Sequence, residues 1–361
     1  MMHMRERTSN KFDLSLLLRD NIRKMKPYSS ARDEFKGEAE VFLDANENPF
    51  STGFNRYPDP LQWAIKDKLA VLKGVTPRQI FLGNGSDEAI DLLIRAFCEP
   101  NRDSILITEP TYGMYAVCAD VNAVRVKSVL LTPDFDIDLD ATLGAIEDST
   151  RLIFLCSPNN PSAALLNQEA IVKILDAFSG LVVVDEAYID FAGTPGFVPL
   201  LSRFPNLVVM QTFSKAWGLA ALRCGMAYGS EEIIAVLNKI KYPYNINIQT
   251  QQLVLKSLES PSQKDEWVKE ILELRTSLVT GLKRISMVKK VYPSDANFVL
   301  TRVTNARTVY EHLMSNGIIV RDRSRVKLCD DCLRITVGTR KENETLIDAM
   351  DKFSKHYNSE R

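Results

Sequence analysis

Five short, almost unbroken runs of apolar residues constrain the fold of this chain more than any other feature of its sequence. The runs are QIFLGN, DSILITEP, RLIFLCSP, LVVVDEAY and LVVMQTFSK. Between them, segments such as SDEAIDLLIRAFCE and QEAIVKILDAFS carry apolar residues at helical spacing. Strands that are apolar on both faces lie in sheets covered by helices on both sides, and such sheets are mostly parallel. The sequence therefore predicts an α/β fold for residues from about 55 to 240.

The pattern changes after about residue 247. Residues 248–286 have helical periodicity with one break, and the following segments alternate between strand and helix: NFVLTRV, TVYEHLMSNG, GIIVRDRS, CLRITVGT and ENETLIDAMDKFSKHY. We expect three parts. Residues 1–50 form an N-terminal arm that packs with the small domain, residues 51–247 form a large ligand-binding domain, and residues 248–361 form a linking helix and a small α+β domain.

Composition excludes several classes of function. The chain has 361 residues, with 45 Lys and Arg against 46 Asp and Glu, so its formal charge of -1 gives no electrostatic reason to expect a nucleic acid partner. No stretch approaches the ~18 apolar residues of a membrane span. The six cysteines are scattered through a chain long enough for a large core, so a disulfide scaffold is not needed. We expect a cytoplasmic enzyme that acts on small molecules.

Polar side chains follow each of the five apolar runs. In open parallel sheets, ligands bind at the carboxyl ends of the strands, so these residues are the first candidates for a site. We expect one site assembled from all five strand ends. The segments are Gly85-Ser86-Asp87, Pro110-Thr111-Tyr112, Ser157 to Pro161, Asp185 to Tyr188, and Thr212 to Lys215.

Lys215 is the residue with the most distinctive chemistry. A partly desolvated amine has a lowered pKa and can attack a carbonyl to form a Schiff base, whereas most lysines are surface residues. The segment TFSKAWGLAALRCG surrounds Lys215 with the hydroxyl of Ser214 and the guanidinium of Arg223. These three groups together suit an anionic cofactor that carries a carbonyl.

The remaining strand-end residues each have two interpretations. A buried carboxylate at Asp185 requires a cation, which a protonated pyridine nitrogen would supply, although an aspartate after a strand is also a common helix N-cap. Tyr188 either donates to a ring oxygen or is a packing tyrosine. Gly85 and Ser86 precede a helix whose N-terminus would bind a phosphate, but Ser86 is also an ordinary N-cap residue.

The motifs as an ordered set resemble a known family. SPNNP, VVVDEAY and TFSKAWGLAALRCG are similar to fold type I pyridoxal-phosphate enzymes, the class II aminotransferases. KPYSSAR, DANENP, RYPDP, GNGSDE, EPTYGMY, IIVRDRS and LRITVGT further resemble the histidinol-phosphate aminotransferases. The resemblance covers the chain from about Lys26 to the C-terminal helix. It implies a mostly parallel seven-stranded sheet between helix layers, a small α+β domain, the cofactor pyridoxal 5'-phosphate, and a homodimer with active sites shared across its interface.

The resemblance also implies roles for individual residues. Lys215 would bind the cofactor covalently and move a proton between the substrate Cα and the cofactor C4′. Asp185 would pair with the pyridinium nitrogen, and Tyr112 would stack on the ring; these three are the expected catalytic residues. Asn160 and Tyr188 would bind the phenolic oxygen. The other expected cofactor-binding residues are Gly85, Ser86, Asp87, Thr212, Ser214, Arg223 and, from the neighbouring subunit, Tyr57.

Four residues are the expected substrate contacts. Arg334 in LRITVGT resembles the arginine that binds the substrate carboxylate, and its planar fork suits bidentate anions. Tyr28, Arg321 and Asn46 would assist it. Arg321 is also interpretable as a surface arginine, and Asn46 as a turn-forming asparagine.

Two departures from the family pattern bear on geometry. SPNNP is followed by Ser162 and Ala163 instead of threonine and glycine, so the turn either avoids a positive φ or tolerates strain. Ala221 replaces a glycine, a change that local packing should absorb.

Cys329 and Cys332 have the spacing of half a zinc site or a redox pair, but no second pair is near, so we expect two unrelated thiols and no metal. We interpret the basic segment RDRSRVK as a solvated loop.

The resemblance implies a transaminase that converts L-histidinol phosphate and 2-oxoglutarate to 3-(imidazol-4-yl)-2-oxopropyl phosphate and L-glutamate in L-histidine biosynthesis. Two alternatives share the fold: a threonine-phosphate decarboxylase and an aromatic amino-acid aminotransferase. A non-catalytic pyridoxal-phosphate-binding regulator is disfavoured. It would need a fused DNA-binding segment, and the ~40 residues before DANENP are too few and lack a helix-turn-helix pattern.

Overall fold

The computed structural model describes residues 12–28 and 40–359. A seven-stranded sheet forms the centre of the large domain. Its strands are β1 (Ile80–Asn84), β2 (Ser104–Glu109), β3 (Arg125–Leu130), β4 (Thr150–Cys156), β5 (Leu181–Asp185), β6 (Leu207–Thr212) and β7 (Cys224–Tyr228). They are ordered β1-β7-β6-β5-β4-β2-β3, and β7 runs in the opposite direction to the other six strands. The predicted mostly parallel sheet is confirmed.

Both faces of the sheet are covered, as the unbroken apolar strands predict. In β5, Leu181 and Val183 belong to one apolar layer, and Val182 and Val184 belong to the other; all four are fully buried. Helices cover both layers. In chain order, the helices of the described residues are α1 (Leu14–Leu17), α2 (Asp20–Lys24), α3 (Trp63–Lys73), α4 (Ser86–Phe97), α5 (Met114–Val121), α6 (Leu139–Gly144), α7 (Gln168–Ala177), α8 (Glu231–Ile240), α9 (Ile248–Ser257), α10 (Pro261–Leu282), α11 (Ala306–Ser315) and α12 (Arg340–Ser359). Among these helices, none combines the length and the hydropathy of a membrane span.

A second, antiparallel sheet lies in the C-terminal part of the chain. Its strands, in the order β10-β11-β9-β8, are β8 (Val288–Val291), β9 (Phe298–Val303), β10 (Arg321–Asp322) and β11 (Cys332–Thr336). Helices α10, α11 and α12 pack against it, with a core whose buried members run from Leu278 to Met350. This core is distinct from the layers of the large sheet, whereas Val254 and Leu258, of α9 and its end, pack in the large core. The division between residues 247 and 248 stays a proposal.

Residues 12–24 of the N-terminal arm lie on the large domain, so the prediction that the arm packs with the small domain is wrong for this segment. Apolar side chains of residues 12–22 pack beside α4 and α8. The Arg19 N–H donates to the carbonyl of Ala96 (3.1 Å), and Lys239 Nζ donates to the carbonyl of Ile22 (2.6 Å). The apolar side chains of the arm thus complete a helix layer of the large sheet. The rest of the arm, residues 1–11 and 29–39, lies outside the described residues.

Candidate active site

A pocket opens at the carboxyl edge of the large sheet. The strand-end residues converge there because β1, β2, β4, β5 and β6 run in the same direction. Eleven of the predicted residues line it, together with Cys156, Ala187 and Ala220. The eleven are Gly85, Ser86, Asp87, Tyr112, Asn160, Asp185, Tyr188, Thr212, Ser214, Lys215 and Arg223.

Asp185 ends β5 at the floor of this pocket and is only 2% exposed. Its carboxylate accepts a hydrogen bond from the hydroxyl of Tyr115 (2.6 Å) and one from the Ala187 N–H (3.1 Å). Burial raises the pKa of Asp185 from 3.8 to about 6, although the Tyr115 hydrogen bond opposes this shift. The carboxylate is therefore short of positive charge, and a cationic ring nitrogen would supply it.

Lys215 follows β6 and is exposed toward the pocket rather than enclosed. Its Nζ lies 5.6 Å from the centroid of the Tyr188 ring. Partial burial, together with the positive charges of Arg334 and Arg223, lowers the pKa of Lys215. A lowered pKa increases the fraction of neutral amine, which is the form that attacks a carbonyl.

The opposite end of the pocket is arranged for an anion. Helix α4 begins at Ser86, so its first N–H groups have no partner within the helix and point toward this end. Gly85 precedes it with a φ of +75°, and a Cβ at this position would lie 2.7 Å from Nη2 of Arg223. Arg223 Nη2 is 3.5 Å from Asp87, whose carboxylate also accepts from the Tyr112 hydroxyl (3.0 Å). Backbone donors and a guanidinium thus meet at a place that only glycine leaves open.

A second cationic group approaches from the small domain. Arg334 on β11 donates from Nη1 to Oδ1 of Asn160 (2.5 Å), and its guanidinium lies 5.3 Å from the centroid of the Phe298 ring. Burial and the charge of Arg323 lower the pKa of Arg334. Neither Arg334 nor Arg323 forms an ion pair with a carboxylate among the residues that the structure describes. A ligand with a second anionic group would compensate these charges.

Five predicted residues are absent from the lining of this pocket. One of them, Arg334, still contacts the lining residue Asn160. Tyr57 and Asn46 border a separate surface groove, where the Tyr57 ring stacks on Tyr244 with 4.4 Å between centroids. Tyr28 is 70% exposed. Arg321 is exposed and pairs with Arg334 across β10 and β11. A single chain therefore does not bring Tyr57 and Asn46 to the pocket that contains Lys215.

Two residues near the pocket are absent from the sequence predictions. Tyr115 is fully buried beneath it and contacts Asp185. In the sequence, Tyr115 stands at helical spacing among apolar residues and is indistinguishable from a core aromatic. Arg323 is half-buried, and its Nε has no hydrogen-bond partner among the described residues. The basic residues of RDRSRVK are the only sequence signal for Arg323. Its half-burial corrects the interpretation of this segment as a solvated loop, for this residue.

The departure at Ser162 and Ala163 produces strain. Ala163 has a φ of 64°, a left-handed conformation that costs a non-glycine residue about 1–2 kcal/mol. The turn tolerates this cost because it is held on both sides: the Ala163 N–H donates to the Asn159 carbonyl, and the Ala163 carbonyl accepts from the Asp295 N–H, each at 2.8 Å. Of the two outcomes left open by the sequence, strain is the one observed.

Cys329 and Cys332 are both buried and unpaired. They belong to one turn, in which the Cys332 N–H donates to the Cys329 carbonyl (3.0 Å). Within residues 12–28 and 40–359, no group of three His, Cys, Asp or Glu side chains is placed to hold a metal ion. The turn gives no support to the zinc interpretation.

Similar proteins are known for nearly the whole chain. Residues 35–350 match the family described as aminotransferase class I and II. A histidinol-phosphate aminotransferase of Cytophaga hutchinsonii is 56% identical over 346 residues, which cover 95% of this chain and 99% of the relative. One of Parabacteroides distasonis is 56% identical over 338 residues, covering 94% and 98%. The crystal structure of a histidinol-phosphate aminotransferase from Sinorhizobium meliloti in complex with pyridoxal-5'-phosphate has a TM-score of 0.77 at 25% identity, covering 84% of this chain and 83% of that chain.

Proposed function

Because the chain belongs to the pyridoxal-phosphate-dependent family of class I and II aminotransferases, we propose that it transfers the amino group between L-histidinol phosphate and 2-oxoglutarate. The products would be 3-(imidazol-4-yl)-2-oxopropyl phosphate and L-glutamate, in L-histidine biosynthesis. The observation that carries this proposal is a single pocket with a reactive amine, a buried carboxylate and two separate cationic ends. The relatives named for this reaction cover nearly all of the chain and support it.

The residues of the pocket fit pyridoxal phosphate. The uncompensated carboxylate of Asp185, with its pKa raised to about 6, suits a protonated ring nitrogen. The glycine-lined N-terminus of α4, with Ser86, Ser214 and Arg223, suits the phosphate. When bound, the cofactor supplies an electron-accepting ring that stabilises negative charge at the substrate Cα.

The protein's own groups bind, orient and move a proton. Lys215 would hold the cofactor covalently, and its amine would carry the proton between the substrate Cα and the cofactor C4′. Asp185 would keep the ring nitrogen protonated. Tyr112 would cover the ring face, and Asn160 and Tyr188 would donate to the phenolic oxygen. The remaining pocket residues that we assign to the cofactor are Gly85, Ser86, Asp87, Thr212, Ser214 and Arg223.

The second cationic end explains how two different substrates use one site. Glutamate presents carboxylates, whereas histidinol phosphate lacks the α-carboxylate and presents a phosphate. Arg334 can bind either anion with its planar fork, because it has no carboxylate partner among the described residues. We assign Arg321 and Tyr28 to the rim of this end, where both are exposed.

We expect Arg334→Gln to raise KM for glutamate and for histidinol phosphate by about 10- to 100-fold, because a hydrogen bond to a charged group contributes about 1.5–3 kcal/mol. Glutamine keeps a donor for Asn160, so cofactor affinity should change little. Steady-state kinetics with both substrates measure the effect. Arg325→Gln is the matched control, since Arg325 is exposed two residues after Arg323. Unchanged KM values in Arg334→Gln would remove Arg334 from the substrate site.

We propose that the protein is a homodimer, and the surface around Tyr57 supports this proposal. Five large apolar side chains between residues 41 and 57 are at least half exposed. Two of them, Phe54 and Tyr57, border a groove that contains the stacked pair Tyr57 and Tyr244. Exposed apolar surface of this kind is typical of a protein interface. A second subunit on it would bring Tyr57 and Asn46 to that subunit's pocket. The exposed residues are Val41, Leu43, Phe50, Phe54 and Tyr57.

We expect Tyr57→Phe to weaken the affinity for pyridoxal phosphate about tenfold while the dimer persists, because it removes one hydroxyl donor and keeps the stacking ring. Cofactor titration by visible absorbance, together with analytical ultracentrifugation, measures both properties. Tyr242→Phe, at a tyrosine that is 79% exposed, is the control. A monomeric wild-type protein that binds the cofactor fully would contradict the shared site.

A half-reaction tests the proposed function directly. Cofactor-loaded protein is mixed with histidinol phosphate alone, and visible absorbance is followed. Loss of the band of the covalently bound cofactor, and its return on addition of 2-oxoglutarate, is the expected result. Release of carbon dioxide from threonine phosphate, without reaction of histidinol phosphate, would contradict the proposal.

We place the reaction in the cytoplasm. The six cysteines are buried and unpaired, which agrees with a reducing compartment. Immunoblotting of fractionated cells is the measurement that tests this placement.

A further inference from the structure

Tyr115 connects the packing of the large domain to the floor of the pocket. It lies on α5, is fully buried, and donates from its hydroxyl to Oδ2 of Asp185 at 2.6 Å. Its ring stacks on Phe154, with 4.8 Å between centroids, and meets the edge of Tyr112 at 5.6 Å. We propose that Tyr115 is a positioning residue that keeps the Asp185 carboxylate ionised and aimed at the cofactor's ring nitrogen. This inference rests on the proposed function.

The need for such a residue follows from the burial of Asp185. Only two hydrogen bonds to its carboxylate occur among the described residues, from Tyr115 and from the Ala187 N–H. A buried carboxylate with so few donors tends to take up a proton, and a protonated Asp185 would lose its attraction for a cationic ring. Burial raises the pKa of Asp185, and the Tyr115 hydroxyl provides the largest effect in the opposite direction.

The hydroxyl of Tyr115 is a dependable donor. Burial and the neighbouring Asp185 charge raise the pKa of Tyr115 well above its ordinary value, so the phenol keeps its proton at physiological pH. The ionisable groups that face the carboxylate or lie near it come from several elements. They are Asp87 on α4, Tyr112 before α5, Cys156 on β4, Glu186 and Tyr188 after β5, and Lys215 after β6.

Packing alone does not account for this hydroxyl. A phenylalanine would make the same ring contacts with Phe154 and Tyr112. Tyr228 on β7 shows the contrast, because it is also fully buried and its hydroxyl has no hydrogen-bond partner among the described residues. Each of the variants Tyr115→Phe and Tyr228→Phe therefore removes one buried hydroxyl. Only the hydroxyl of Tyr115 contacts the site.

The test is the pH dependence of cofactor binding without catalysis. Purified cofactor-free protein is titrated with pyridoxamine 5'-phosphate, whose amine cannot form a covalent bond with Lys215, and binding is followed by fluorescence. For the wild type, the plot of affinity against pH should have a break at about pH 6. Below this pH Asp185 becomes protonated, and the affinity should fall tenfold per pH unit. In Tyr115→Phe this break should move upward by about one to two pH units, since a hydrogen bond to a charge contributes about 1.5–3 kcal/mol. Tyr228→Phe should leave it in place.

Three outcomes overturn the inference: an unmoved break in Tyr115→Phe, a loss of affinity that is equal at every pH, or an equal shift in Tyr228→Phe. An Asp185→Asn background gives a second measurement. There the removal of the Tyr115 hydroxyl should leave the pH dependence unchanged, because Tyr115 acts through Asp185. A wild type that does not bind pyridoxamine phosphate at any pH contradicts the proposed function itself. A wild type that binds, with an unmoved break in the variant, contradicts only the role of Tyr115.

Discussion

Lys215→Ala is expected to abolish the visible absorbance of covalently bound pyridoxal phosphate and to lower transamination at least about 10³-fold, because it removes both the covalent link and the proton carrier. The amine is well suited to both roles, since partial burial and the charges of Arg334 and Arg223 lower its pKa. Alanine removes only a side chain that is exposed toward the pocket, so the fold should persist. Absorbance spectra of the purified protein and stopped-flow kinetics provide the measurements.

Lys66 offers a matched control. It is 1% exposed, its Nζ lies 5.2 Å from the centroid of the Trp63 ring, and burial lowers its pKa to about 8. It does not line the pocket with Lys215. Lys66→Met should keep the absorbance band, which would show that position rather than pKa selects the reactive amine. If Lys215→Ala keeps the band, the assignment of Lys215 is wrong.

Asp185→Asn is expected to have opposite effects on stability and on catalysis. Folding raises the pKa of Asp185 from 3.8 to about 6, so the folded state binds more protons than the unfolded state between these values. The cofactor-free protein therefore loses stability as pH rises through this window, by about 3 kcal/mol above it. Asparagine avoids this loss. The variant should be more stable than the wild type at pH 8, and the difference should vanish near pH 4.

Catalysis should fall about 10²- to 10³-fold in the same variant, since a buried charge that stabilises the reacting group is absent. Calorimetry of the cofactor-free proteins across the pH range, and kinetics of the loaded ones, test the two effects separately. Glu186→Gln is the control, because Glu186 is also buried with its pKa raised to about 7 but bonds Gln211 and the Phe197 N–H away from the pocket. It should retain activity. A destabilised Asp185→Asn protein at pH 8 would contradict the stability argument.

The sequence predicts the strands that are apolar on both faces but not all strands of the sheet. β3 is an edge strand whose residues are exposed or half-buried, so it has no apolar run. β7 is a five-residue strand inserted antiparallel between β1 and β6. Its place depends on pairing with residues more than a hundred positions away in β1, which local patterns do not encode. Apolar side chains of residues 12–22 pack on the large domain, and no local pattern in the arm says which domain covers it.

The convergence of the strand-end residues in one pocket is predictable from the sequence. Parallel strands share one carboxyl edge, so residues that follow different strands become neighbours. Tyr115 is different, because its role depends on a contact with a residue 70 positions away and its own surroundings in the sequence are apolar. Tyr57 and Asn46 are different again. In our proposal they contact the pocket of a second subunit, and no pattern within one chain encodes that contact.

The two cationic ends of the pocket are built on different parts of the chain. Gly85, Ser86 and Arg223 stand at the edge of the large sheet, whereas Arg334 is on a strand of the small one and reaches the pocket at Asn160. Natural selection can therefore alter the small-sheet end, and with it the range of amines accepted, without rebuilding the apparatus that holds the cofactor. The same separation offers protein engineers a point at which new substrate preferences can be introduced one strand at a time.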